Sequence, residues 1–395
     1  MEFTRDRLTW LAYVLIAWFA FLQAVPGLVV PHLREELDLS YSVGGLHVGA
    51  FAAGSVVAGL GAAAAERALG RRRLLWAAAA LLAAGAVALT LGRVAAATLG
   101  AMLVMGFAGA MVVVTLQAAL ADRHLERRAV ALSEANIAAS IAYVILIGAL
   151  SLAAAIGAGW RAAVLSSLVV PVLAWSRNRE LAVTAPAPAP PGTGGGRLPP
   201  AFWVAAAMLF CTTAAEWCIT AWGATFVEDA AGVSVDTAVA LMAGFFGGVL
   251  GGRVLGSVLA RRYTAHRLLA AALIVSASGF AVLWPASSPL QAVVGLAACG
   301  VGLGNLFPLG VAVTVGLAPD RTQLASGRAV LAGGAAVLVA PLAVGALADA
   351  TTIKAALGTV VPLSLALAAA ALTLVTRAAS RAGEAPLAER TRAAG

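Results

Sequence analysis

Residues 48–67, VGAFAAGSVVAGLGAAAAER, align without gaps on residues 243–262, AGFFGGVLGGRVLGSVLARR. Gly49, Phe51, Leu60, Gly61, Ala65 and Arg67 meet Gly244, Phe246, Leu255, Gly256, Ala260 and Arg262 at an offset of 195, about half of the 395-residue chain. A second pair, Asp122-Arg123 and Asp320-Arg321, repeats at offset 198. Self-similarity at half the chain length predicts two copies of one structural unit. Each copy of the aligned stretch is also an apolar run of about 20 residues ending in arginine, the length of a helix that crosses a bilayer.

Reading outward from the repeat, the apolar segments fall near 9–31, 41–65, 73–93, 98–121, 130–157 and 160–176, then near 200–228, 235–260, 266–285, 289–316, 322–348 and 354–376. Between the two sets lies RNRELAVTAPAPAPPGTGGGRLPP, residues 177–200, whose proline-rich part favours extended chain and whose glycine run favours flexibility. The composition agrees: 62% of residues are hydrophobic and 11% charged, far from a soluble domain, and the short alternating segments of a membrane β-barrel are missing. The prediction is an all-α membrane protein of twelve transmembrane helices in two pseudo-symmetric six-helix bundles. The bundles would span 1–176 and 200–377, with a cytoplasmic linker over 177–199 and a cytoplasmic tail over 378–395.

The formal charge of +8 would suggest nucleic acid in a soluble protein. Here it reads as topology. With the N-terminus inside, 22 of the 26 basic residues fall on cytoplasmic loops or helix ends, and only Arg34, Arg93, Arg161 and Lys354 fall outside. The opening MEFTRDR precedes an apolar run too long for the hydrophobic part of a signal peptide, so it starts the first span. Cys211, Cys218 and Cys299 have neither CxxC spacing nor a histidine partner and read as small core residues, with no metal site. A chain with one lysine, 25 arginines and abundant alanine resembles the product of a GC-rich bacterial gene, and the expected location of such a helical membrane protein is the inner (plasma) membrane.

ERALGRRR, residues 66–73, resembles the acidic-basic-Gly-basic loop that joins helices 2 and 3 in the major facilitator superfamily (MFS). Glu66, Arg67, Gly70, Arg71 and Arg72 occupy the loop, with one extra residue between Arg67 and Gly70. GWR, residues 159–161, resembles a frequent feature of the family before helix 6. Two elements of the family's drug/proton antiporter branch are missing. MLVMGFAGA, residues 102–110, replaces its Arg-x-x-Gln-Gly run, and YVILIGALSL, residues 143–152, offers no proline. The resemblance implies a secondary transporter that works by rocking-type alternating access, with a substrate site between the two halves near the bilayer midplane.

Two carboxylates, Glu134 and Glu216, lie inside predicted spans. An ionisable group in hydrocarbon is costly and belongs in a wet interior or beside a partner. Glu216 lies about 16 residues, roughly 24 Å, into the seventh helix. Thr212, Thr213, Thr220 and Gly223 share its face at helical spacing, which predicts a polar stripe turned toward a central cavity. Trp217 and Trp222 flank the stripe as walls that lower the local dielectric, so that a proton binds there reversibly, and they could sandwich a flat or cationic solute. A structural glutamate bonded to a neighbouring helix is the competing reading. Asn305, in GVGLGNLFP of the tenth helix, could bond substrate or a helix. Gln23, His47 and the Asn136/Ser140/Tyr143 stripe of the fifth helix are further cavity candidates. Glycines 244, 248, 252 and 256 form a small-residue stripe for tight packing or for sliding.

In the family's arrangement helix 5 packs on helix 8, so Glu134 is expected to pair with Arg253, and by pseudo-symmetry Glu66 with Arg328, as parting gate contacts or static pairs. No arginine is expected at mid-membrane. The central charge is then negative, favouring a neutral, amphipathic or cationic organic solute, with no cofactor and protons as the coupling ion. Export is the first expectation and proton-coupled uptake of a sugar-like nutrient the second. A transporter-like sensor would be expected to carry a sizeable soluble domain, and an intramembrane protease buried catalytic pairs; neither stands in the sequence. No P-loop is present to use ATP. The expected partners are a small-molecule substrate and the lipid bilayer, with a monomer as the working unit.

Overall fold

The computed structural model describes residues 4–183 and 197–393, so the Pro/Gly-rich core of the predicted linker lies outside the described residues. Among the described residues, twelve helices are long and apolar enough to cross a membrane: α1 (Arg7–Leu37), α2 (Tyr41–Leu69), α3 (Arg71–Leu91), α4 (Ala95–His124), α5 (Val130–Ala155), α6 (Gly159–Asn178), α7 (Pro200–Ala231), α8 (Val235–Leu259), α9 (Ala265–Leu283), α10 (Pro289–Gly316), α11 (Leu324–Ala350) and α12 (Ile353–Ala378). No strand occurs among the described residues. The last helix does not stop where a tail was expected; it continues to Ala393.

Local chemistry sets the boundaries. Asp6 caps α1 by accepting from Thr9 N at 2.9 Å, and it also takes Arg123 Nε at 2.7 Å. Partial burial pushes the Asp6 carboxyl up, but these bonds outweigh it and hold it below its ordinary value. Asp38, in the left-handed conformation at φ 51°, ends α1, and Ser40 caps α2. Gly70 at φ 75° turns α2 into α3 without a Cβ penalty. Pro200 and Pro289 sit in the first turns of α7 and α10, where no amide hydrogen is needed.

Within each half, one helix is wrapped by its neighbours. α1 packs on α4 and α5, and α7 packs on α10, α11 and α12. Across the halves the contacts run α2 to α11, α5 to α8 and α1 to α7. The glycine stripe of α8 faces α10 in its own half. A Cβ at Gly248 or Gly252 would strike the α10 backbone at Ala297 or Val301. Asn305 belongs to the same seam, with Nδ2 donating to Gly252 O at 2.6 Å. The stripe is therefore a close-packed seam within one half, away from the boundary between the halves, and Asn305 bonds a helix.

The α2–α11 pair is closed at one end and splayed at the other. At the end away from the arginine-rich loops, Asp349 of α11 takes the first two amides of α2, Tyr41 N at 2.7 Å and Ser42 N at 2.8 Å. Gly45 lies against the backbone of Pro341 and Leu342, close enough that only hydrogen fits. His32 of α1 meets Asp236 of α8 at 2.9 Å. Among the described residues, every side-chain hydrogen bond between the halves lies here or at mid-membrane, where Arg253 donates to Ser140.

Candidate functional site

Where α2 and α11 part, a vestibule of about 790 Å³ opens toward the arginine-rich face. Its deep end is made by Gln23 and Trp217, its flanks by Phe51, Ser55 and Leu60 of α2 and by Leu331, Gly334 and Val337 of α11, and its mouth by Arg328. Leu60, Val330 and Leu331 are exposed along this opening, so its rim is apolar.

Gln23 and Trp217 also line a second, narrow pocket of about 30 Å³, room for about one water. Tyr143, Glu216, Thr220, Phe245, Phe246 and Arg253 complete it. Side chains from both halves meet here. Tyr143 OH donates to Gln23 Oε1 at 2.9 Å, and its ring stands 5.2 Å from that of Phe246. Arg253 donates through one terminal nitrogen to Ser140 Oγ at 2.7 Å and through Nε to Gly304 O at 3.4 Å. The Glu216 carboxylate makes no hydrogen bond or ion pair among the described residues and keeps part of its surface open. Polarity on its face of α7 is otherwise spent locally: Thr213 Oγ1 donates to Leu209 O at 2.7 Å and Thr220 Oγ1 to Glu216 O at 2.9 Å.

Arg253 corrects two expectations. It does not pair with Glu134, and it supplies the positive charge at mid-membrane that was expected to be missing. Glu134 is held instead by Arg5 Nε at 2.8 Å, a second Arg5 nitrogen at 2.5 Å and Tyr13 OH at 2.9 Å, all from the start of the chain. The reason is depth. Arg253 meets Ser140, six residues along α5 from Glu134 and about 9 Å deeper. Glu66 and Arg328 do not pair either. Glu66 takes Arg71 at 2.9 Å, and Arg71 reaches on to Asp122 at 2.8 Å, tying the ends of α2 and α4 together. Arg71 is buried while Arg67 and Arg72 stay exposed. Arg328 stands at the vestibule mouth without an ion pair among the described residues.

Three other candidates stand elsewhere. Trp222 is fully buried at the closed end, donating Nε1 to Pro341 O at 2.9 Å with its ring 5.8 Å from that of Tyr41, so it walls the closure and not the pocket. Asn136 is exposed, and its carbonyl accepts from Ser140. His47 is buried between Val43 O and Thr98 Oγ1. Sequence reasoning missed Asp349 and the His32–Asp236 contact, whose partners lie more than 200 residues away. It also missed Glu36, which explains the GWR feature: Glu36 accepts from Trp160 Nε1 at 2.8 Å and from both Arg161 terminal nitrogens at 2.8 and 2.6 Å.

The sequence model of the Major Facilitator Superfamily matches residues 9–275 and 205–394. Among solved structures, a bacterial homolog of the human lysosomal transporter Spinster, inward-facing and occupied, superposes with a TM-score of 0.73 at 16% identity, covering 95% of this chain and 98% of that one. Its inward-facing unoccupied form gives 0.69 at 16% identity, covering 94% and 93%. A substituted form of the nucleoside transporter NupG gives 0.75 at 12% identity, covering 93% and 99%. At these identities the likeness is one of fold. No curated protein matches the chain.

Proposed function

The chain belongs to the major facilitator superfamily, and from that premise we propose that it is a proton-coupled secondary transporter exporting a small amphipathic organic solute across the bacterial inner membrane. The observation that carries this reading is the unbonded Glu216 carboxylate, which stands between the two halves beside a vestibule open at one end and closed at the other. A carboxylate there is costly unless it is protonated or paired. Proton and solute are then alternative ways of satisfying it, and that competition couples their movements.

The arginine-rich loops support a cytoplasmic side for the open mouth and for both termini. Its apolar rim suits an amphipathic solute arriving from the cytoplasm or the inner leaflet, which supports export. The working unit is a monomer, since each chain holds a complete pair of halves. No cofactor enters the cycle.

The test is reconstitution in liposomes with an imposed pH gradient, using solutes first found by an untargeted uptake and efflux screen. Wild type should move solute against its gradient, and Glu216→Gln should not. Equal gradient-driven flux in both rejects the coupling role.

A further inference from the structure

The narrow pocket holds a cation as well as an anion. Glu216 and Arg253 line the same space, yet they form no direct ion pair. The guanidinium is oriented by Ser140 Oγ and the Gly304 carbonyl, two neutral acceptors, so its attraction to Glu216 acts across the pocket without direct contact. Tyr143 is the other titratable group on the wall, and its hydroxyl is engaged with Gln23. From this placement we propose that the transported solute is a zwitterion with a compact head, its anionic group on Arg253 and its cationic group on Glu216, and with an apolar body lying in the vestibule.

This rests on the transport reading above and adds the charge of the solute to it. A buried charge without a hydrogen-bonded opposite partner is costly, and two charges that attract across a gap without touching compensate each other only in part. A cationic solute would answer Glu216 and leave Arg253 unmet. An anionic solute would answer Arg253 and leave Glu216 unmet until a proton arrived. A neutral solute would answer neither. A zwitterion satisfies both while adding no net charge to a low-dielectric site. The gap of about 30 Å³ limits the head to a small one that enters as side chains move aside. Trp217 and Gln23, which line both spaces, mark where head and body join, and the 790 Å³ vestibule takes the body.

The test uses one aromatic scaffold in four charge states: phenylalanine, its amide, its N-acetyl derivative and the doubly capped compound. A second set has the β-homologue, in which the charges are one carbon further apart. Binding is measured by calorimetry at pH 7 on the full chain in lipid nanodiscs. The zwitterion should bind at least tenfold more tightly than its three relatives on one of the scaffolds. Glu216→Gln should erase its advantage over the N-acetyl compound, and Arg253→Gln its advantage over the amide, both variants remaining monodisperse. Equal or tighter binding of the amide or the N-acetyl compound on both scaffolds, or no binding of any compound, overturns the zwitterion assignment. So does retention of the advantage in Arg253→Gln. The transport reading is judged separately in proteoliposomes: pH-driven movement of any organic solute upholds it, whatever that solute's charge.

Discussion

Glu216 and Glu134 look alike in the sequence, each a carboxylate in an apolar run, and packing gives them opposite conditions. Glu134 accepts bonds from Arg5 and Tyr13, whereas Glu216 accepts none among the described residues. A fully bonded carboxylate has no call for a proton, so Glu134 should be silent in coupling. Glu216→Gln should cut pH-gradient-driven flux at least tenfold and, because the same carboxylate receives the solute, should also slow solute exchange without a gradient. Glu134→Gln should leave coupling unchanged. Initial rates in paired liposome assays check both. The position of Glu216 was legible, because helical spacing and depth follow from the chain alone. The orientation of Arg253 was not. An arginine six residues from a helix end can snorkel outward or turn inward, and Ser140, 113 residues away, decides which.

At the scale of elements, the informative pair is α2 and α11. The carboxylate of Asp349 on the first amides of α2 combines an N-terminal cap with a charge–dipole attraction. It joins the halves only while that end, away from the arginine-rich loops, is closed. Asp349→Ala should therefore shift the population toward opening of that end by about 1–2 kcal/mol, a factor of roughly 5–30. Gly49 offers a reporter: a Cβ there would rest 3.5 Å from Leu338 O, in ordinary contact and buried between the halves. In a background with the three native cysteines changed to alanine, maleimide labelling of Gly49→Cys should accelerate by that factor when Asp349 is removed. Unchanged labelling would show that the contact does not hold the end shut. The α8–α10 seam makes a contrasting prediction. Gly252→Val should strike Val301 and lower thermal stability by about 1–3 kcal/mol, while Gly251→Val, with open space around it, should be tolerated. Helix number and approximate positions were legible from hydropathy, since a span must satisfy its own backbone, but polar extensions such as the last turns of α1 and the run of the final helix to Ala393 were not. The small-residue stripe was legible as a feature, but its partner was not, because glycine spacing fits any close helix.

For the whole molecule, the two ends of the half-to-half interface cannot be open together if the protein is to hold a gradient. The end away from the arginine-rich loops is sealed by Asp349, His32–Asp236, and the packing of Trp222 with Tyr41, while the arginine-rich end stands open. Transport in either direction then requires these sealing contacts to break in every cycle. Sequence repeats signal the two halves but carry no information on which end is shut, because both states bury the same apolar helices and differ only in contacts between residues far apart in the chain. A cross-link between Gly49→Cys and Leu338→Cys, where α2 and α11 touch, should form on oxidation, abolish flux entirely and leave the vestibule accessible from the arginine-rich side. Reduction should restore flux. Because the lock spares Glu216 and Arg253, solute binding from the open side should persist while translocation stops. Full transport with the cross-link in place would mean that the halves do not rock about the central pocket, and a fixed channel would then have to replace alternating access.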